Sequence, residues 1–171
     1  MRPTSDRLRE TLFNILGPTV EGSLFVDLYA GTGAVGIEAL SRGAEEVIFI
    51  EKHFAAVTLI RTNLASLEIE SGFEILAKDA QHGLELLASR KLGGHLKVDF
   101  FFLDPPYAAK DEYANVLEFL DGSHLLARHG CIIAEHSVRL ALPERLVRLE
   151  RTRVVEHGDA ALSFYRFALA A

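Results

Sequence analysis

Val26-Asp27-Leu28-Tyr29-Ala30-Gly31-Thr32-Gly33-Ala34-Val35-Gly36 is the stretch whose reading decides the fold. An apolar run over residues 24–28, broken only by Asp27, meets two glycines and then a helical pattern in which Glu38 faces outward. Strand, glycine turn and helix in that order make the first βα unit of a sheet that carries its ligand beyond the strands' carboxyl ends. Glycine adopts φ > 0 at little cost and lets a ligand approach the backbone. The helix start that follows leaves N–H groups without intrahelical partners.

Gly31 to Gly36 satisfies G-x-G-x-x-G, the dinucleotide pattern, but Asp27 argues for a different ligand. A carboxylate inside an apolar strand end is costly unless it has partners. It lies four residues before the first glycine and points to the same crevice. A negative charge there suits a cationic ligand and opposes a pyrophosphate. S-adenosylmethionine carries a sulfonium and an ammonium and no phosphate. Glu51, closing the next apolar run, suits ribose hydroxyls with either cofactor.

The chain has 171 residues, enough for one domain, here read as a single unit over 1–171. Hydrophobic residues make up 49%, so a substantial core is expected and disorder is not. No run of about 18 apolar residues is present, so no membrane span is expected, and the first residues lack an apolar signal region. One cysteine excludes an internal disulfide, and Cys131 reads as a small buried hydrophobe in a cytoplasmic protein. Seven histidines are scattered without H-x-x-H spacing, so no metal site is expected. The net charge of −6 argues against a large phosphate-gripping surface while allowing a local basic patch.

Residues 4–16 read as an amphipathic helix capped by Thr4, Ser5 or Asp6, with Leu8, Leu12, Ile15 and Leu16 on one face. Arg2, Arg7 and Arg9 make its start basic, and Gly17-Pro18 ends it. Strands are then expected over 24–28, 47–50, 73–77, 98–103 and 131–135. Helices are expected over 34–42, 54–67, 83–90 and 112–120. The 54–67 helix offers Val57, Leu59, Ile60, Leu64 and Leu67 to the core. Two weakly alternating runs flank His157-Gly158-Asp159 as a closing hairpin. The expectation is an α/β fold: a doubly wound, mostly parallel, Rossmann-like sheet with an antiparallel C-terminal strand.

Asp27, Glu51, Asp79 and Asp104 each close one of four successive strands, so four carboxylates gather along one sheet edge. Asp79 also suits an N-cap of the helix after it, and Glu51 could serve the next helix likewise. Asp104-Pro105-Pro106-Tyr107 follows the run Phe100-Phe101-Phe102-Leu103. Two prolines fix φ and remove two donors, which suits a rigid strand exit. The acid before them and the aromatic after them suit a base. The Asp104 carboxylate and Pro105 carbonyl would accept both hydrogens of an exocyclic amine, freeing its lone pair toward a methyl group. Tyr107 would stack on the base, a contact worth roughly 1–3 kcal/mol, once the base has left its own stack.

Asp-Pro-Pro-aromatic after the fourth strand and Asp-x-x-Ala-Gly-Thr-Gly after the first resemble S-adenosylmethionine-dependent amino methyltransferases. Together with Arg2-Pro3-Thr4-Ser5-Asp6-Arg7-Leu8-Arg9-Glu10-Thr11-Leu12-Phe13-Asn14 and Gly36-Ile37-Glu38-Ala39-Leu40-Ser41-Arg42-Gly43-Ala44, they resemble the RsmD family over nearly the whole chain. That family methylates the N2 amine of a guanine in small-subunit (16S) ribosomal RNA. The resemblance implies cofactor contacts from Asp27, Tyr29, Ala30, Gly31, Thr32, Gly33, Glu51, Lys52, Asp79 and Ala80. It implies a catalytic corner at Asp104, Pro105, Pro106 and Tyr107. Arg2, Thr4, Arg7 and Tyr107 would meet the substrate, with the helix of residues 1–17 covering the site.

Family members usually carry a basic segment before the Arg-Pro-Thr motif, and here nothing precedes Met1. The expectation is either a trimmed chain or an enzyme that depends on ribosomal proteins, in a partly assembled subunit, to present the base. Other acceptors of the same kind are adenine N6, cytosine N4 and a glutamine side chain. The competing classes are an NAD-dependent oxidoreductase and a non-catalytic RNA-binding module.

Overall fold

The computed structural model describes residues 5–91, 93–106 and 108–169. The order is α1 (Asp6–Leu16), a 3₁₀ turn (Gly17–Val20), β1 (Leu24–Leu28), α2 (Ala34–Ser41), β2 (Glu46–Ile50), α3 (Phe54–Ser66) and β3 (Phe73–Leu76). It continues with α4 (Ala80–Ser89), β4 (Val98–Leu103), α5 (Asp111–Gly122), β5 (Leu126–Ser137), β6 (Leu149–His157) and β7 (Ala160–Phe167). The strands form one sheet in the order β3-β2-β1-β4-β5-β7-β6. β3 through β5 pair in parallel, and β7 joins β5 and β6 antiparallel. The strand order reverses on either side of β1, so the crevice of a doubly wound sheet opens between β1 and β4.

Side chains alternate across the strands and separate two cores. On one face Phe25, Phe49, Phe100 and Phe102 meet Leu8, Leu12 and Phe13 of α1 with residues of α2 and α3. On the other, Val26, Ile48, Phe101 and Leu103 meet Leu84 and Leu87 of α4 and Val116, Leu117 and Leu120 of α5. Because β4 is covered on both faces, it reads as an almost continuous apolar run. Cys131 is fully buried, as expected of a small hydrophobe.

Three expectations need correction. Leu59 and Leu67 are 42% and 58% exposed, because only Val57, Ile60 and Leu64 of α3 share the sheet-facing stripe. The α4 helix begins at Ala80, two residues after Lys78, because the Asp79 side chain caps it and accepts from the His82 N–H at 2.8 Å. β5 begins at Leu126, well before the apolar run, because Leu126 already pairs with Val98. The closing hairpin forms as expected, with His157 paired to Ala160 across Gly158.

Candidate active site

The turn after β1 is held from inside. Asp27 is 2% exposed, and its carboxylate accepts the Gly36 N–H at 3.0 Å. Glu51, at the end of β2, accepts from Gly31 at 2.9 Å and from His53 at 2.8 Å. The Gly33 N–H goes to the Ala30 carbonyl at 2.8 Å, and the Asn63 amide reaches the Thr32 carbonyl at 2.9 Å. The sequence suggests free N–H groups at this helix start. Instead, those of Gly31, Gly33 and Gly36 already have acceptors, two of them carboxylates. A pyrophosphate would find those donors already engaged and would face Glu51. The turn fits a ligand that is cationic and lacks phosphate.

Burial pushes the Asp27 carboxyl up to about 8, the Gly36 hydrogen bond pulling it down and the nearby Glu51 adding to the rise. Two glycines are needed for different reasons. Gly33 caps α2 with φ +81, where a side chain is strained. Gly36 has ordinary φ, but a Cβ there would lie 2.4 Å from Cε1 of the fully buried Phe49. This third glycine serves close helix–strand packing.

A cavity of about 680 Å³ opens over the strand ends. One wall carries Glu51, Lys52, Lys78, Asp79 and Ala80; the other carries Asp104, Pro105, Pro106, Glu135 and His136. Ser5, the N-cap of α1, and Leu8 of α1 also line it, so the N-terminal helix borders the site. Of the four strand-end acids, Glu51, Asp79 and Asp104 reach the cavity. Asp27 does not line it: it sits under the turn and holds the start of α2. Ala30, Gly31, Thr32 and Gly33 likewise do not line the cavity. Asp79 fills its capping role and still faces the cavity, its carboxyl held below the usual range chiefly by the His82 N–H. Arg7 is exposed and outside the cavity lining. Arg2, Thr4 and Tyr107 lie outside the described residues.

Pro105 is buried, Pro106 is exposed, and the Pro106 carbonyl accepts the Ala109 N–H at 2.9 Å. That turn leads into α5, whose first turn supplies groups that the sequence alone does not single out. The Tyr29 hydroxyl donates to Glu112 at 2.5 Å, which ties the glycine turn to α5. Tyr29 has φ +57, uncommon for a bulky residue, and burial and the Glu112 carboxylate hold its phenol well above the ordinary range. The Tyr113 hydroxyl donates to the Glu135 carbonyl at 2.7 Å. His136 is buried, with Nδ1 2.8 Å from the Ser137 carbonyl and Nε2 2.7 Å from the Ser163 hydroxyl. A carbonyl only accepts, so Nδ1 carries the hydrogen and Nε2 accepts from Ser163. Burial lowers the His136 pKa and keeps the ring neutral. The signal that could have found Glu135 and His136 was their place at the end of the fifth parallel strand, where the sheet edge also bears Asp104. No group of three or more potential metal ligands occurs among the described residues. No helix there is long and apolar enough to cross a membrane.

A parallel sheet in this order, closed by an antiparallel pair and bearing an acid-lined cavity at its switch point, defines a methyltransferase of Rossmann-like fold. Within that class, residues 1–166 match the family model described as Conserved hypothetical protein 95. Ribosomal RNA small subunit methyltransferase D of Escherichia coli K12 is 32% identical over 97% of this chain and 79% of its own length. YlbH of Bacillus subtilis strain 168 is 37% identical over 96% of this chain and 87% of its own. A solved structure from Thermus thermophilus superposes with a TM-score of 0.81 at 28% identity, covering 96% of this chain and 88% of that one. The chain belongs to this family, the RsmD family.

Proposed function

We propose that the protein transfers a methyl group from S-adenosylmethionine to the exocyclic N2 amine of a guanine in small-subunit (16S) ribosomal RNA. The observation that carries this reading is that one cavity is lined by both Glu51 and Asp79 on one wall and Asp104 and Pro105 on the other. The E. coli relative's name specifies small-subunit ribosomal RNA. The cytoplasm as its place and a partly assembled subunit as its substrate form belong to the same reading.

The cofactor supplies a methyl group on a positively charged sulfur. Asp27, Tyr29, Ala30, Gly31, Thr32, Gly33, Glu51, Lys52, Asp79 and Ala80 are proposed to form its seat. Glu51 keeps lone pairs for ribose hydroxyls beyond its two backbone bonds. Asp104 and the Pro105 carbonyl accept the two amine hydrogens, which turns the nitrogen lone pair toward the methyl. Pro105, Pro106 and Tyr107 fix and cover the base. Arg2, Thr4 and Arg7 are proposed to meet the RNA. Once the groups are aligned, little chemistry remains for the protein, and orientation supplies most of the acceleration.

The test is methyl transfer from labelled cofactor to small subunits isolated without this modification. Wild-type protein is expected to place label on the N2 of one guanine. Asp104→Ala is expected to lower kcat at least 100-fold, in the range of losing a positioned acceptor, with cofactor affinity retained. Unchanged turnover in D104A would remove Asp104 from the proposal. Label on an adenine, a cytosine or a protein glutamine would replace the acceptor.

A further inference from the structure

We propose that Glu135 selects guanine over other amine-bearing bases by accepting the hydrogen on ring N1, beside the amine held at Asp104. The inference rests on the methyl-transfer reading above and assigns that reading's base specificity to a residue.

The placement comes from strand register. β4 and β5 run parallel with Phe102 opposite Ile133 and Leu103 opposite Ala134. Asp104 directly follows the end of β4, and Glu135 is the next residue of β5. Side chains alternate along a strand, so Glu135 shares the face of Ile133, which lies with Phe102 in the core beneath α1. Neighbouring strands lie about 4.8 Å apart, so the paired Leu103 and Ala134 bring the two residues that follow them close together. Both residues line the cavity. The end of β5 is pinned from the other side, because Tyr113 donates its hydroxyl to the Glu135 carbonyl at 2.7 Å. The carboxylate therefore projects from a fixed backbone on a rigid element.

The chemistry of the base edge then discriminates. Guanine presents two adjacent donors, the N2 amine and the N1–H. Adenine and cytosine present their amines beside a ring nitrogen that bears a lone pair. A clamp of Asp104 and Pro105 alone accepts the amine of all three. A second carboxylate one strand away matches a donor–donor edge and repels a donor–acceptor edge. Sites that require a substrate hydrogen-bond partner reject analogues lacking it far more strongly than sites that merely fit a shape.

The test uses 2-aminopurine, which keeps the 2-amino group but has a bare N1. Small-subunit RNA is ligated from synthetic pieces with guanine or 2-aminopurine at the mapped target, and kcat/KM is measured for each. Wild-type protein is expected to prefer guanine strongly. Glu135→Gln, whose amide donates to a bare nitrogen, is expected to lower guanine turnover about 10- to 100-fold, the range for one charged hydrogen bond. It is expected to raise 2-aminopurine turnover, so that the ratio moves by on the order of 100-fold in all. If E135Q melts below the assay temperature, Glu135→Ala gives the same readout: guanine turnover falls and 2-aminopurine turnover does not. A purely structural residue would depress both substrates alike and leave the ratio unchanged, and that result overturns the proposal. Failure of wild-type protein to methylate the guanine RNA at all would instead overturn the reading on which the proposal rests.

Discussion

Asp27 titrates far from where an exposed aspartate does, because its charge is buried against a single N–H donor, with Glu51 close by. Unfolded, it releases its proton near 3.8; folded, near 8. Between those values the folded chain holds a proton that the unfolded chain lacks, so this residue makes stability decline as pH rises through that window. Asp27→Asn keeps an acceptor for Gly36 and removes the titration. Thermal melts from pH 5 to pH 8 are expected to show the wild type losing stability relative to D27N, with parallel curves counting against the buried proton. The four strand-end acids were legible from the sequence because each interrupts or closes an apolar run. What they bond to was not. Asp27 and Glu51 take N–H groups 9 and 20 residues away, a pairing set by the turn's three-dimensional path. His136 and Glu135 carried no local pattern that separated them from ordinary strand-end polar residues.

The unit of β1, the glycine turn and α2 has a steric requirement that the sequence pattern names only loosely. Gly36→Ala would drive a methyl group into Phe49 and Val47, both fully buried. Overpacking of this kind costs about 1–3 kcal/mol, to be read from urea unfolding; a loss under 0.5 kcal/mol would show that α2 slides away freely. The α5 helix enters the site through Glu112. Tyr29→Phe removes the hydroxyl that bonds it and is expected to raise the cofactor Kd about 10-fold, measured by calorimetry, with little change in kcat. An unchanged Kd would make that hydrogen bond incidental to the cofactor seat. Element types followed from periodicity and turn residues, and the glycine turn and proline corner stand where they were expected. Boundaries shifted where a side chain or a strand partner decided them, as Asp79 did for α4 and Val98 did for β5. Leu59 and Leu67 looked like core because apolar residues outnumber the positions that face the sheet on α3.

Across the whole molecule, the sheet order and its two cores bring residues from β1 through β5 to one rim, though they are spread over more than a hundred positions of the chain. A ligand that binds only the folded state raises its melting temperature by mass action. S-adenosylhomocysteine is expected to do so by several degrees at 100 times its Kd, and NADH is expected to leave it unchanged, because the turn's donors already serve Asp27, Glu51 and Ala30. A shift with NADH alone would return the protein to the dinucleotide class. The central claim is that this rim joins a methyl-bearing cofactor to a guanine amine of small-subunit RNA. Its most direct test is mass mapping of N2-methylguanine in that RNA from cells with and without the protein. The account predicts that one methylated guanine disappears without the protein, returns with the wild type and does not return with Asp104→Ala; an identical methylation map in both cells would contradict it.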